Sequence, residues 1–306
     1  MNYLRLIRFP NLIMVIVMQC IIMFGFFKPF DIELSLSSLG FTFLVIATVF
    51  IAAGGYIIND IIDVTADKIN KPKKRIIGVS IDPRRAKFFY YIFTYVGVGF
   101  GFVITAVLKE PLYFLIFPGI AFLLYLYSRF LRKIAFVGNL LVSLTVALSI
   151  MIVGIFELFS IDGYYDNELK AFLLDIILNI SIAAFLINLI REIVKDIEDI
   201  QGDHVARYRT LPIILGAQRT ARIASILCLI TLTLISWYTF TFLYDHKLTV
   251  AVLFFGVIAP LGYVATRLWE DDKKSHFTRL SLILKVIMFI GILTIPLISQ
   301  TIADAI

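Results

Sequence analysis

The chain has 306 residues, 60% of them hydrophobic and only 16% charged, with a formal net charge of +6. That much apolar surface excludes an ordinary soluble domain, and it falls in runs of about 18 residues or more rather than at amphipathic spacing. The basic excess lies between the runs, with no single patch of interleaved aromatics, so it reads as topogenic charge and no nucleic-acid partner is expected.

A short amphipathic lead-in, Tyr3 to Phe9, is expected along the membrane surface before Pro10 opens the first span. No small-residue cleavage site ends the following apolar run, so it reads as an uncleaved span. Nine spans follow one another, at roughly 12–27, 37–58, 87–108, 112–128, 134–156, 171–190, 222–244, 248–266 and 280–302. Asp175 and Lys285 are expected near span ends, within reach of the interface. With the N-terminus inside, 23 of the 28 lysines and arginines fall in inner segments and four outside. This is a positive-inside bias that fixes an odd number of spans. The expected class is an all-α polytopic membrane protein forming one domain over 1–306, in the cell's inner membrane, with its N-terminus cytoplasmic. Cys20 and Cys228 lie inside apolar runs and His204, His246 and His276 are scattered, so neither a disulfide nor a histidine metal site is expected.

The polar exceptions are concentrated. Tyr56-Ile-Ile-Asn-Asp-Ile-Ile-Asp-Val-Thr-Ala-Asp-Lys-Ile-Asn-Lys-Pro72 places Asp60, Asp63 and Asp67 at offsets 0, 3 and 7 where the second span ends. On one helix those offsets fall within about 60° of each other, a single acidic face. The spacing recurs after the sixth span as Asp196, Asp199 and Asp203, within Arg191-Glu-Ile-Val-Lys-Asp-Ile-Glu-Asp-Ile-Gln-Gly-Asp203. The recurrence four spans apart hints at internal duplication. Six converging carboxylates repel one another, and Mg²⁺ relieves that by taking one or two carboxylates per ion and filling its shell with water and phosphate oxygens. No twelve-residue calcium loop is present. Groups suited to diphosphate flank the triads: Asn59, Lys68, Lys71, Lys73, Lys74 and Arg75 near the first, Arg191, Lys195, Arg207 and Arg209 near the second. For Lys73 and Lys74 plain topogenic charge is the favoured reading, and for Arg75, Arg191 and Arg209 it stays an equal alternative. Arg191 closes an apolar span, where an unpaired charge is costly and usually functional. Asn188 and Glu192 share its helix and point roughly toward the acidic face.

The two triads resemble the paired aspartate-rich motifs of the UbiA superfamily of intramembrane prenyltransferases. The first matches Asn-Asp-x-x-Asp-x-x-x-Asp followed by Asn-x-Pro, here Asn59 through Asp67, then Asn70-Lys71-Pro72 and Arg75. The second matches Asp-x-x-Asp-x-x-x-Asp followed by Thr-Leu-Pro, here Asp196 through Asp203, then Thr210-Leu211-Pro212. The resemblance implies nine helices around a central cavity open sideways to lipid, with both motifs in cap loops at its cytoplasmic mouth. It also implies Mg²⁺ held by Asp60, Asp63, Asp67, Asp196, Asp199 and Asp203, which are the catalytic set. A family segment with a Tyr one turn before a basic residue is matched by Tyr125 with Arg129 and by Tyr127 with Arg132. The implied diphosphate ligands are Asn59, Lys71, Arg75, Arg191, Lys195, Arg209, Tyr127 and Arg132. The implied activity is Mg²⁺-dependent transfer of a prenyl group from its diphosphate to a lipophilic acceptor. The second motif looks most like the branch that prenylates geranylgeranylglyceryl phosphate. An aromatic acceptor in quinone synthesis is the alternative, with haem farnesylation third. An ion-coupled transporter belongs to another class. It would place ionisable residues at midspan, whereas these acids stand at span ends and no span shows a Gly/Pro break at mid-length.

Overall fold

The structure is a computed structural model and describes residues 2–70, 72, 75–159, 164–270 and 274–304. Among them, nine helices are long and apolar enough to cross a membrane. They are α1 (Phe9–Phe30), α2 (Ser38–Ile62), α3 (Pro83–Leu108), α4 (Pro111–Arg129), α5 (Val137–Phe159), α6 (Asn167–Glu198), α7 (Ala217–Phe242), α8 (Lys247–Arg267) and α9 (Lys274–Ala303). Each expected span overlaps one of these helices, with ends shifted by up to several residues. The helices outrun the apolar runs because polar residues start and continue them. Ser37, Asp82 and Asp166 cap α2, α3 and α6 by accepting from the backbone N–H of Gly40, Arg84 and Leu169, which satisfies donors the first turn leaves open.

Helix α6 runs through the middle of one half of the bundle and packs on α5, α7 and α9; α2 packs on α3 and α4 in the other. Helix α1 joins the halves. Its buried Gln19 donates to Thr48 Oγ1 on α2 and to the Ser149 carbonyl on α5, both at 3.2 Å. Large apolar side chains such as Phe102, Leu112, Trp237 and Phe255 face outward, as a lipid-bathed surface requires. At the end of the bundle away from the acid motifs, the buried Glu157 carboxylate accepts from the backbone N–H of Ser35 and Leu36 and from the Tyr165 hydroxyl. A buried carboxylate so supplied with donors ties the α1–α2 and α5–α6 connections together.

Four expectations are corrected or sharpened. The lead-in is a short helix, Asn2–Leu6, whose Leu6 is buried against Ile57, Ile77 and Ile81. It is anchored on protein rather than only on the membrane surface. Spans α1 and α8 each contain a widened π stretch, Ile21–Phe26 and Phe254–Ile258. Pro29 and Pro260 stand four residues after Gly25 and Gly256 and offer no N–H to those carbonyls, while the two glycines sit against Pro296 and Ile290 of α9. Lys285 lies deeper in its helix than the apolar run shows, since α9 begins at Lys274 and Lys285 stands eleven residues in, about 16 Å along the axis. The last correction concerns the acid triads themselves.

Candidate active site

Neither triad lies on one continuous helix. Helix α2 stops at Ile62, Asp63 takes φ −81° and ψ 4°, and a separate helix spans Val64–Asn70. Helix α6 stops at Glu198, Asp199 takes φ −96° and ψ 5°, and a separate helix spans Ile200–Val205. The middle aspartate of each motif is thus the same hinge. The hydrogen-bond ladder runs through it, Asp63 N–H to the Asn59 carbonyl and Asp67 N–H to the Asp63 carbonyl, both 2.9 Å. The hinge aspartate keeps both of its own backbone bonds, and the bend turns the last aspartate of each motif onto a different axis.

The two turns meet. Asn70 donates from Nδ2 to the Asp199 carbonyl and accepts at Oδ1 from the Gly202 N–H, each at 2.9 Å. Gly202 is required at this approach, since a Cβ there would stand 2.4 Å from Asn70 Cγ and 2.6 Å from the Ala66 carbonyl oxygen. From the second motif's loop, the Tyr208 hydroxyl donates to Asp63 Oδ1 at 3.0 Å. Burial pushes the Tyr208 phenol up, and Asp203 and Asp67 add to that against the opposing pull of Arg132. Acids of both motifs therefore surround one hydroxyl.

Cations hold the acids in place. Arg132 pairs with Asp63 and donates to Asn59 Oδ1 at 3.2 Å. Arg8 pairs with Asp60 at 2.8 Å and lies 4.9 Å above the Tyr56 ring. Asn139 donates to Asp196 at 2.8 Å. Glu192 accepts from Arg191 at 2.9 Å and from Lys195 at 3.0 Å. Arg132 reaches the site because α4 ends at Arg129 and a tight turn, Leu131–Lys133, folds the chain back. The Arg209 N–H then fastens that turn to the Lys133 carbonyl at 3.0 Å.

Behind this mouth lies a cavity of about 560 Å³. Arg8, Asn59, Tyr127, Arg132, Asn139, Asn188, Arg191, Glu192, Lys195, Asp196 and Asp199 line its polar end, and Ile51, Ile116, Phe117, Ile120, Ile152 and Ile155 its apolar depth. Of the expected diphosphate ligands, Asn59, Tyr127, Arg132, Arg191 and Lys195 face it. Arg75 is half-buried and Arg209 exposed, and neither is part of the lining. Lys71 lies outside the described residues. Of the two tyrosine–arginine pairs, Tyr127 with Arg132 lines the cavity; Tyr125 does not, and Arg129 is exposed. Asp196 and Asp199 touch the cavity directly, Asp60 and Asp63 stand behind Arg8 and Arg132, and Asp203 is buried beside Tyr208. Two residues escaped the sequence reading. Arg8 looked like one more topogenic charge, and its approach to Asp60 depends on a left-handed turn, φ 50°, just before α1. Tyr208 carries only the weak signal of an aromatic five residues after Asp203.

Mg²⁺ suits this donor set. Among the described residues no three His, Cys, Asp or Glu side chains form a ready-made metal centre. Carboxylates in ones and twos around a mouth shared with cations instead suit an ion that completes its shell with a substrate's phosphate oxygens.

Paired acid turns gathered with arginines at the mouth of an apolar, membrane-embedded cavity are the arrangement of an enzyme that handles an anionic head on a long apolar chain. The chain belongs to the UbiA prenyltransferase family, whose family model matches residues 12–293. It is a multi-pass membrane prenyltransferase. It is 33% identical to digeranylgeranylglyceryl phosphate synthase of Saccharolobus solfataricus over 294 residues, 94% of this chain and 95% of that protein. A solved structure concerned with digeranylgeranylglyceryl phosphate synthase in membranes superposes with a TM-score of 0.65 at 24% identity, covering 98% of each chain. A UbiA homolog from Archaeoglobus fulgidus bound to GPP and Mg²⁺ superposes with a TM-score of 0.61 at 19% identity, covering 96% of this chain and 99% of that one. Both establish the shared fold.

Proposed function

We propose that the enzyme transfers a geranylgeranyl group from its diphosphate to the free glycerol hydroxyl of geranylgeranylglyceryl phosphate, at the cytoplasmic face of the cell membrane. The observation that carries the reading is the meeting of the two acid turns, through Asn70 and Tyr208, at the polar end of an apolar cavity. Identity to a synthase of that product over nearly the whole chain supports the choice of acceptor.

Asp60, Asp63, Asp67, Asp196, Asp199 and Asp203 are the residues that would hold Mg²⁺. When bound, it supplies Lewis-acid neutralisation of the charge that grows on the departing diphosphate. The rest falls to side chains. Arg132, Arg191 and Lys195 bind diphosphate oxygens, with Asn59 and Tyr127 as neutral donors. Arg8 and Arg132 face the cavity while neutralising Asp60 and Asp63, so either guanidinium can pass from carboxylate to diphosphate as the donor enters. The C1–O bond to diphosphate breaks, the glycerol oxygen forms the new ether bond to C1, and the hydroxyl proton leaves to a carboxylate or water. Ile51, Phe117, Ile120 and Ile152 wall the isoprenoid chain and keep water from the allylic cation.

Purified protein should be supplied with C10 to C20 prenyl diphosphates crossed with a glycerol-phosphate lipid and with aromatic quinone precursors, and the products weighed. A diether from the C20 donor is expected; a prenylated aromatic as the main product would overturn the acceptor assignment. Arg132→Gln should raise the donor KM about 10- to 100-fold, the worth of one charge-assisted contact. Arg75→Gln, outside the cavity wall, should stay within about twofold. Steady-state diphosphate release measures both, and an unchanged donor KM in Arg132→Gln would remove that residue from the donor site.

A further inference from the structure

A second cavity, about 400 Å³, adjoins the first, and the wall they share includes Asn11, Tyr56, Asn188, Arg191 and Lys285. The second cavity runs between α1, α6, α7, α8 and α9, and its depth is apolar, with Met18, Ala184, Leu234, Val257, Met288 and Ile295 among its lining. Three lining residues, Ile182 on α6 and Leu234 and Trp237 on α7, are 44%, 46% and 61% exposed. The chamber therefore reaches the apolar outer surface of the bundle along α6 and α7.

At the junction stands a cation without a counter-charge. Lys285 Nζ donates to Asn11 Oδ1 at 2.7 Å, and among the described residues no carboxylate pairs with it. Arg191 is close enough to add repulsion, and its own neutralising partner, Glu192, is shared with Lys195. Arg191 Nε is buried and makes no hydrogen bond. Interface snorkelling does not account for Lys285. The Lys274 ammonium, at the head of α9, already lies at the motif turn, 3.2 Å from the Asn70 carbonyl, and Lys285 is three helical turns deeper. A half-buried ammonium in a membrane helix, answered only by an amide, is expensive to keep and marks a place where an anion arrives.

We propose that Lys285, held by Asn11, is the subsite for the phosphate of the acceptor lipid, and that the second cavity takes the acceptor's chain. This rests on the function proposed above. A reaction that joins two long chains on one glycerol phosphate has two apolar tails and two anionic heads present together. The larger cavity, with the acid turns at its mouth, suits the diphosphate and its chain. The smaller one offers a separate apolar slot, a route from the bilayer, and a positive charge at the junction to hold a phosphate monoester. A head held there brings the glycerol hydroxyl to the shared wall, beside the first cavity. Lys285 is then the residue that selects a phosphorylated acceptor over a neutral one.

The test uses the full-length enzyme in nanodiscs with the C20 donor, and compares geranylgeranylglyceryl phosphate with its dephosphorylated alcohol. Lys285→Gln should raise the KM for the phosphorylated acceptor about 10- to 100-fold. It should leave the donor KM unchanged and erase the preference for phosphate, while Lys285→Arg should keep both. A steric variant reads the slot independently. Gly291 lines the second cavity, and a Cβ there meets no atom within 4 Å, so the side chain of Gly291→Phe starts into open space and narrows the slot. It should raise the KM for a C20-chain acceptor and spare a C10-chain one. A wild-type acceptor KM in Lys285→Gln, or a raised donor KM instead, overturns the subsite while diether synthesis by the unaltered enzyme still upholds the proposed function. An unaltered enzyme that makes no diether overturns both.

Discussion

Asp63→Asn should lower kcat by about a thousandfold, the scale of removing one element of charge stabilisation from a preorganised site. Asp63 is buried, accepts from Tyr208 and pairs with Arg132. Asparagine keeps the shape and still accepts from Tyr208, so the loss is one negative charge among those available to Mg²⁺. Alanine is the poorer probe, because it also removes the carboxylate that Arg132 pairs with and the acceptor of the Tyr208 hydroxyl. It leaves Arg132 its bond to Asn59, and so mixes a loss of stability with the loss of charge. The donor KM in Asp63→Asn should move far less than kcat, since Arg132, released from its carboxylate, still faces the cavity. Asp199→Asn, the matching hinge on the other turn, should behave alike. Diphosphate release against Mg²⁺ concentration is the measurement, with half-saturation shifting upward in both variants. A near-normal kcat in either would take that aspartate out of the metal set.

The charge chemistry of this site was legible where it is local in sequence and hidden where it is tertiary. The nine spans and the repeated acid spacing could be read directly, since an apolar run of membrane length has one stable conformation in lipid. The choice between Tyr127/Arg132 and Tyr125/Arg129 could not, because it depends on the chain folding back after Arg129 and fastening to Arg209. Arg8 and Lys285 were counted as topogenic or interfacial charge, and each acquires its role from a partner more than 50 residues away, Asp60 and Asn11 respectively. The hinges at Asp63 and Asp199 carry no glycine or proline, so nothing local announces a helix end. The bend is stabilised by what each turn meets across the bundle. Arg75 and Arg209, singled out by their proximity to the motifs, are not part of the cavity lining.

That cross-bundle meeting can be attacked without touching a single charge. Gly202→Ala should cut kcat about a hundredfold and lower Tm by a few degrees. A Cβ at 202 would sit 2.6 Å from the Ala66 carbonyl oxygen as well as 2.4 Å from Asn70 Cγ. Rotating Asn70 away removes only the second of these clashes, so one acid turn has to move against the other. Asn70→Ala removes the clamp from the other side. It removes the two bonds between the turns while the Gly202 N–H keeps its 3.1 Å bond to the Asp199 carbonyl, so the cost is about 0.5–1.5 kcal/mol for each bond lost. The two substitutions act on one contact, so their effects should not add. With Asn70 shortened, the double variant keeps only the clash with Ala66 and should fall within about threefold of the worse single variant. Additive losses would mean the two residues act separately, and a normal kcat in Gly202→Ala would mean that the spacing of the two turns does not govern catalysis.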